Sequence, residues 1–239
     1  MSATSTSLRD GAATASPALL RRMTAELVGT AFLLAAVVGS GIAAHRLSPH
    51  DTGLQLLENS LVTGGALVAL ILALQPVSAS FNPVVTLVER ALGRIDTRTA
   101  AALVLAQLAG GLAGVVVANL MFDLPAVSVS HHHRGGAGQL LGELVATLGL
   151  VVVVFGALRS PRIETVAFAV GGYITAAYWF TSSTSFANPA VTVARMFSDT
   201  FTGIAPASAP AFVGMQLIGG VAGAGLVRLV HHDRPRETS

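Results

Sequence analysis

The sequence predicts an all-α membrane protein with six transmembrane helices and two re-entrant half-helices arranged as an inverted repeat. Three observations support this fold class. The 239-residue chain is 52% hydrophobic and only 11% charged, whereas soluble domains carry roughly 25% charged residues. The charged residues are spaced so that long uncharged runs lie between them. Motifs in the first half of the chain recur in the second half in the same order.

The uncharged runs locate the spans, because a helix that crosses a bilayer needs about 20 apolar residues. Runs without Asp, Glu, Lys or Arg cover residues 27–44, 59–88, 99–122, 165–194 and 200–227. A further run over residues 135–158 is interrupted only by Glu143. These runs predict transmembrane helices over about residues 23–45, 58–75, 99–122, 138–158, 163–181 and 208–230.

Two of these runs are too long for one straight span, and each is interrupted by residues that favour loops. Residues 75–80 contain Pro and two Ser, and residues 181–185 consist of Ser and Thr. An Asn-Pro pair follows each interruption, so we predict half-helices over about residues 82–92 and 188–198. Non-helical backbone at membrane depth is tolerated only inside the protein or against a water-filled cavity. Two re-entrant segments therefore predict a pore.

Three matched landmarks indicate an internal repeat. Glu26 corresponds to Glu143, Asn82-Pro83 to Asn188-Pro189, and Gln107 to Gln216. Each half holds three spans, so the second half must enter the membrane from the opposite side. Inverted repeats place the solute site near the bilayer midplane, between the halves. We predict one channel domain over residues 21–231, with repeat halves at about 21–122 and 138–231.

The ends of the chain predict two tails outside this domain. Residues 1–20 begin with a stretch rich in Ser, Thr and Ala and are expected to form a disordered cytoplasmic tail, with a second tail over 232–239. Most Arg residues flank the apolar runs on one predicted side, whereas Arg46 and Arg134 lie in loops on the other. Because basic loops stay in the cytoplasm, we expect both termini there. A net charge of +2 without any Lys does not favour nucleic-acid binding.

The Asn-Pro pairs begin helices by local rules alone, because Asn is a favoured N-cap and Pro suits the first helical position. Half-helices that enter from opposite faces bring two N-termini together, each with about half a positive charge. Such ends raise the barrier to cations and protons. We expect Asn82 and Asn188 to cap their helices through the side-chain oxygen and to point their amide N–H groups into the lumen. The pattern predicts a pore for neutral solutes.

The boxes Asn82-Pro83-Val84 and Asn188-Pro189-Ala190 resemble the paired Asn-Pro-Ala boxes of aquaporins and aquaglyceroporins. The resemblance extends over about residues 23–230 and includes Glu26 and Glu143. It implies a six-helix fold with two half-helices, assembled as a homotetramer with one pore per subunit. We expect this assembly in the lipid bilayer of a bacterial inner membrane.

The resemblance also implies an outer selectivity filter, and here the chain departs from the family pattern. By spacing, the filter positions are Thr63, Ala176, Ser185 and Val191, with Val62 replacing Thr63 if the preceding loop is not shortened. Most members carry an Arg at the position of Val191. A filter without this Arg resembles a subgroup of bacterial aquaglyceroporins associated with arsenical permeation. It implies a wider, neutral opening with a weaker proton barrier.

Charged residues in or near the spans have two interpretations each. Arg195 lies either at the outer mouth, for instance beside Asp199, or on the pore wall. Glu26 and Glu143 are hydrogen-bond acceptors that brace the re-entrant loops, or they are titrating groups of a proton-coupled carrier.

The remaining polar and aromatic candidates are His131–His133 and the pair Tyr178 and Trp179. The His run is interpreted as a solvated external loop rather than a metal site, and the aromatic pair as interfacial residues.

The function predicted from these features is passive conduction of small uncharged solutes across the membrane. The expected solutes are glycerol-like polyols, arsenous acid or methylated arsenicals, and some water. The alternatives are an orthodox water channel, a proton-coupled secondary transporter that uses Glu26 and Glu143, and a nonconducting scaffold. The chain has no Cys and no organised nucleophile or carboxylate pair, so we expect neither enzymatic activity nor a cofactor.

Overall fold

The computed structural model describes residues 17–162 and 164–231, and its regular elements in these ranges are all helical. The helices are α1 (Pro17–Leu47), α2 (Thr52–Leu74), α3 (Pro83–Ala91), α4 (Thr97–Met121), α5 (Ala137–Ala157), α6 (Thr165–Phe180), α7 (Pro189–Ala194) and α8 (Ala209–Val230). A short 3₁₀ turn over Arg195–Phe197 extends α7. The all-α fold class predicted from the sequence is confirmed.

Each of the six predicted spans corresponds to a helix. Five of the described helices are long and apolar enough to cross a membrane, and α6 is shorter, with 16 residues. Two helix starts were wrong: α1 begins at Pro17 and α2 at Thr52, each six residues before the predicted span, so the predicted tail over residues 1–20 overlaps the first turn of α1. Residues 1–16 and 232–239 lie outside the described residues, and both tails stay predictions.

Local capping explains where several helices begin. Asp51 accepts a hydrogen bond from Leu54 N at the start of α2, and Asp96 accepts one from Thr99 N at the start of α4. A side-chain acceptor at the N-cap satisfies one of the backbone N–H groups that have no partner within the helix. Both capping residues lie in polar loops, so the helix starts that they mark are readable in the sequence.

The long helices pack as two similar sets. In the first half α1 packs against α2 and α4, in the second half α5 packs against α6 and α8, and α2 contacts α6 across the halves. Glycines make the closest crossings possible, since a Cβ on Gly114 would lie 2.1 Å from Ala31 O and one on Gly223 would lie 2.9 Å from Leu148 O. This packing encloses α3 and α7. The two half-helices contact each other, and each of them contacts both α4 and α8.

Candidate functional site

The two Asn-Pro pairs meet inside the helix bundle and hold each other in place. Asn82 accepts a hydrogen bond from Val84 N at 2.9 Å, and Asn188 accepts one from Ala190 N at 2.9 Å, so each side-chain oxygen caps its own half-helix. Asn82 Nδ2 donates to Ala187 O at 2.8 Å, and Asn188 Nδ2 donates to Phe81 O at 2.7 Å.

This reciprocal pair corrects the expectation that both N–H groups of each Asn point into the lumen. One N–H of each amide links the two half-helices instead. An Asn amide carries two N–H groups, so the second one is left to face the cavity that both residues line.

The backbone before each Asn adopts a conformation that non-glycine residues rarely use. Phe81 and Ala187 both have φ of 47°, in the left-handed region. The backbone N–H of Phe81 donates to Glu26 at 2.7 Å, and that of Ala187 donates to Glu143 at 3.0 Å. Each carboxylate therefore holds the turn that aims the carbonyl of Phe81 or Ala187 at the Asn of the other half.

The remaining bonds of the two carboxylates follow the same plan. Glu26 also accepts from Ser78, from Ser80 N and from Gln107, and Glu143 also accepts from Phe186 N and from Gln216. Both carboxylates are fully buried, and neither lines the cavity. Glu26 accepts four hydrogen bonds and Glu143 accepts three, and their burial away from the cavity fits the bracing interpretation rather than exchange of a transported proton.

Gln107 and Gln216 have roles that the sequence analysis did not assign. Gln107 Nε2 donates to Glu26 and to Thr86, and Gln216 Nε2 donates to Glu143 and to Thr192. Each Gln thus connects the brace of its half to the half-helix. Because the two Gln residues recur at matched positions of the repeat, the sequence contained a signal for this shared role.

A cavity of about 260 Å³ passes the two Asn side chains. One part of its wall is apolar and comes from α1, α2, α5 and α6. The apolar lining residues on these helices, or directly after α5 in the case of Leu158, are Leu33, Val37, Leu67, Ile71, Leu150, Val154, Leu158, Val166, Val170 and Ile174. The other part comes from the two re-entrant loops and the first turns of α3 and α7. A molecule inside therefore contacts a mostly apolar helical surface and, from the loops, the polar side chains of Asn82, Ser185 and Asn188 beside the rings of Phe81 and Phe186.

The end of the cavity near α7 contains most of the predicted filter. Thr63, Ser185 and Val191 lie on its wall. Thr63 Oγ1 lies 3.1 Å from the hydroxyl of Tyr178, which also lines the cavity. The buried hydroxyl of Ser185 has no hydrogen-bond partner among the described residues, so it can bind a hydroxyl group that enters.

Three assignments made on α2 and α6 need correction or a choice. Ala176 is exposed and does not line the cavity, because α6 turns Ile174 and Tyr178 inward instead. Tyr178 is 4% exposed and is not an interfacial aromatic, whereas its neighbour Trp179 is half exposed. On α2, Val62 is 46% exposed and Thr63 is buried, so Thr63 is the residue that faces the cavity.

Arg195 lies on the cavity wall and is 3% exposed. Its guanidinium lies over the ring of Phe186, 3.6 Å from the centroid, and its Nε donates to the carbonyl of Thr202. The suggested pairing with Asp199 is wrong, since Asp199 binds His131 instead. Of the two interpretations of Arg195, the geometry favours the pore wall.

The contact between His131 and Asp199 holds the loop that contains His131–His133. The backbone N–H and the ring of His131 donate to or contact Asp199 at 2.9 Å each, and these hydrogen bonds hold the pKa of Asp199 below its usual range. Among the described residues, no group of three His, Asp, Glu or Cys side chains is arranged to hold a metal ion.

The opposite end of the cavity contains residues that the sequence analysis missed. Val85 and Glu89 of α3 line the wall there, together with Arg22 of α1. The spacing between Asn82 and Asn188 also separates Val85 from Val191 and Glu89 from Arg195. The repeat was therefore sufficient to place both pairs on matching faces of the half-helices.

Val84 stands where the resembling family box has Ala, and this difference is accommodated by helix packing. Val84 is 2% exposed and does not line the cavity. It packs against Gly220 of α8, where an added Cβ would lie 2.4 Å from Val84 Cγ1. The third residue of this box therefore affects the fit of α3 against α8 rather than the pore.

Two facing half-helices beside one continuous cavity, in an inverted helical repeat, define the class of membrane channels for small solutes. The chain matches the family model described as major intrinsic protein over residues 13–165 and 157–238, and it belongs to that family. It is 50% identical over 225 residues to the aquaglyceroporin AqpS of Rhizobium meliloti (strain 1021), covering 92% of this chain and 96% of the relative.

A solved structure supports the fold independently. The aquaglyceroporin from Plasmodium falciparum matches with a TM-score of 0.69 at 19% identity, covering 90% of this chain and 98% of that one. The chain is therefore a multi-pass membrane protein of a channel family and is not an enzyme.

Proposed function

We propose that the chain is a passive channel for glycerol-like polyols and for arsenous acid or methylated arsenicals, with some passage of water. The observation that carries the proposal is the cavity that both Asn side chains line, which combines a mostly apolar helical wall with polar groups from the re-entrant loops. A polyol or a metalloid hydroxide has a carbon or metalloid face and several hydroxyl groups, so it suits such a wall.

The selection for uncharged solutes follows from fixed positive potential along the cavity. Each half-helix N-terminus contributes about half a positive charge near the Asn pair, and Arg195 adds a full charge at one end. A cation that enters a narrow, poorly hydrated passage meets this potential without a full hydration shell. Neutral molecules do not incur this electrostatic cost.

The preference for solutes larger than water rests on the residue at position 191. Val191 lines the cavity and offers neither a charge nor a hydrogen-bond donor. Arg195, one turn farther along, is withdrawn toward Phe186 and Thr202. The opening beside Val191 is therefore wider and more apolar than one crossed by a guanidinium. The arsenical solutes rest on analogy with family members that lack the filter Arg.

Two alternative functions have less support. A proton-coupled carrier that uses Glu26 and Glu143 needs these groups to meet the transported proton, but both are fully buried, accept backbone hydrogen bonds of the re-entrant loops and lie off the cavity wall. An orthodox water channel would be expected to have a narrower opening than one lined by Val191. The relative named an aquaglyceroporin also supports the solute channel.

We further propose a homotetramer in a bacterial inner membrane with both termini in the cytoplasm. The family resemblance supports the tetramer. The Arg residues support the orientation, because Arg21, Arg94, Arg159 and Arg228 lie at the ends of α1, α3, α5 and α8 that an inverted repeat places on one side.

Stopped-flow light scattering of proteoliposomes tests the proposed solutes. Glycerol and arsenous acid gradients should relax several-fold faster than in empty liposomes, without saturation and without dependence on a proton gradient. Rapid water flux with no acceleration of glycerol would favour the orthodox water channel. Flux that saturates and follows a proton gradient would favour the carrier.

A further inference from the structure

A second cavity lies outside the solute pore, where the C-terminal ends of α3, α5 and α8 meet. Its volume is about 330 Å³, and its wall includes Arg94, Arg159, Arg228 and His231. Its other lining residues are the apolar Leu92, Phe155 and Val227. No acidic residue is among the described residues that line it. Neither the pore nor the brace network uses this cavity.

Helix capping accounts for only part of this positive charge. Arg228 donates to Ala91 O at the end of α3, and Arg159 donates to His231 O at the end of α8. Three helix C-termini together carry about one and a half negative charges. Arg94 and Arg228 alone outweigh that sum, and Arg159 adds a third positive charge. The cavity therefore has more positive charge than the helix ends require.

The arrangement of the guanidinium groups suits an anion. Arg94 lies over the ring of Phe155, 5.4 Å from its centroid, which holds the side chain against the cavity wall. Arg228 uses one N–H for Ala91 O, and a guanidinium has five such donors. Among the described residues that line the pore cavity, Glu89 is the only carboxylate. It interacts with both Arg94 and Arg22, but it lines the pore and not the second cavity.

We propose that this cavity binds a phosphate group, carried either by an anionic phospholipid or by a soluble phosphate compound. Guanidinium groups match the planar pairs of oxygens on phosphate and form charge-assisted, two-bond contacts with it. Basic pockets between transmembrane helices on the cytoplasmic side are suited to phospholipid head groups. The apolar Leu92 and Val227 beside the Arg residues are compatible with the start of a lipid tail.

Native mass spectrometry of the full-length protein in mixed micelles with phosphatidylglycerol tests the lipid form. Wild type should retain about one phosphatidylglycerol per chain. A double variant, Arg94→Gln with Arg228→Gln, should weaken retention about 25-fold, since each basic residue near an anionic head group contributes about fivefold. The matched control is Arg21→Gln with Arg162→Gln, which removes two exposed Arg residues outside the cavity and should retain lipid as wild type does.

Phosphorus NMR of inorganic phosphate in phospholipid-free detergent separates the two sources. Saturable binding of phosphate that the Arg94→Gln and Arg228→Gln changes abolish, without lipid retention, assigns the site to soluble phosphates. Lipid retention without phosphate binding assigns it to head groups. The proposal is overturned if wild type binds neither, or if the test and control doubles bind equally. Because Arg228 caps α3, the single variant Arg94→Gln, with an unchanged size-exclusion profile, must show a loss of about fivefold.

Discussion

Val191 and Arg195 lie one helical turn apart and both face the cavity, yet they have opposite consequences for a solute. Val191 leaves an apolar opening, and Arg195 fixes a positive charge against the Phe186 ring. The usual filter of the family combines narrowness and charge in one Arg. In this chain the width of the opening depends on Val191 and the charge depends on Arg195, so each property is testable alone.

Replacing Val191 with Arg should restore the narrow opening. We expect glycerol and arsenous acid flux to fall several-fold and water flux to fall less, because the longer side chain excludes the larger solutes first. Val191→Met is the steric control, and it should reduce glycerol flux without altering proton leak. Stopped-flow measurements on matched proteoliposomes give the rates of glycerol, arsenous acid and water flux, and a pH-sensitive dye gives the proton leak. Equal glycerol flux in wild type and Val191→Arg would mean that Val191 does not line the conducting path.

Replacing Arg195 with Val should raise proton or cation leak, since the fixed charge on the wall is lost. The sequence left open whether Arg195 lies at the outer mouth or on the pore wall. Its buried position on the cavity wall, over the ring of Phe186, favours the pore wall and therefore an effect on leak. Arg195→Lys keeps the charge and should keep the leak low. Proton leak is measured with a pH-sensitive dye. An identical leak in wild type, Arg195→Val and Arg195→Lys would exclude this role.

The brace carboxylates should tolerate Gln better than Leu. In Glu26→Gln and Glu143→Gln, at least one buried backbone N–H faces an amide NH₂ instead of an acceptor, which costs about 1–3 kcal/mol. Leu removes both acceptor oxygens, so the backbone N–H groups of the re-entrant loop that donate to the carboxylate all lose their acceptor. Thermal unfolding should therefore rank wild type above Gln and Gln above Leu in both halves.

Flux distinguishes this bracing role from proton coupling. A folded Glu26→Gln or Glu143→Gln protein should conduct glycerol at close to the wild-type rate per channel. A well-folded Gln variant without any flux would favour the carrier instead.

At the scale of elements, the repeat and the apolar runs were sufficient to predict every span and half-helix, although α1 and α2 begin six residues before their predicted starts. Which side chains of a helix face the cavity was harder to predict. Ala176 was assigned to the filter by spacing, but α6 turns Tyr178 inward, and the uniformly apolar sequence of α6 gives no periodic signal to set this rotation. Within α3 and α7, matched spacing placed Val85 with Val191 and Glu89 with Arg195, and this signal was present but unused.

Helix crossings in each half depend on glycine at the point of contact. A Cβ on Gly114 would lie 2.1 Å from Ala31 O, whereas nothing lies within 4 Å of a Cβ on Gly65. Gly114→Ala should destabilise the protein by about 1–3 kcal/mol through overpacking. Gly65→Ala should be neutral or stabilising, because Ala favours helix by up to about 1 kcal/mol. Equal melting temperatures for the two variants would argue against a close α1–α4 crossing.

At the scale of the whole molecule, the inverted repeat has a topological consequence. If both termini lie in the cytoplasm, the loop with His132 is external. The chain has no native Cys, so a single-Cys variant at position 132 reports this directly. An impermeant thiol reagent should label His132→Cys from outside intact cells. Labelling only after the cytoplasmic side is opened would reverse the orientation.

The central claim is that solutes cross through the cavity between the two Asn-Pro ends, and blocking that cavity tests it most directly. Val191→Cys places a thiol on the cavity wall, and Ala176→Cys places one on the exposed face of α6. Both are reacted to completion with N-ethylmaleimide in detergent, checked by intact mass, and reconstituted for glycerol flux. The account predicts that modified Val191→Cys loses most of its flux while modified Ala176→Cys keeps it. Full flux through modified Val191→Cys, or equal loss in both, would contradict it.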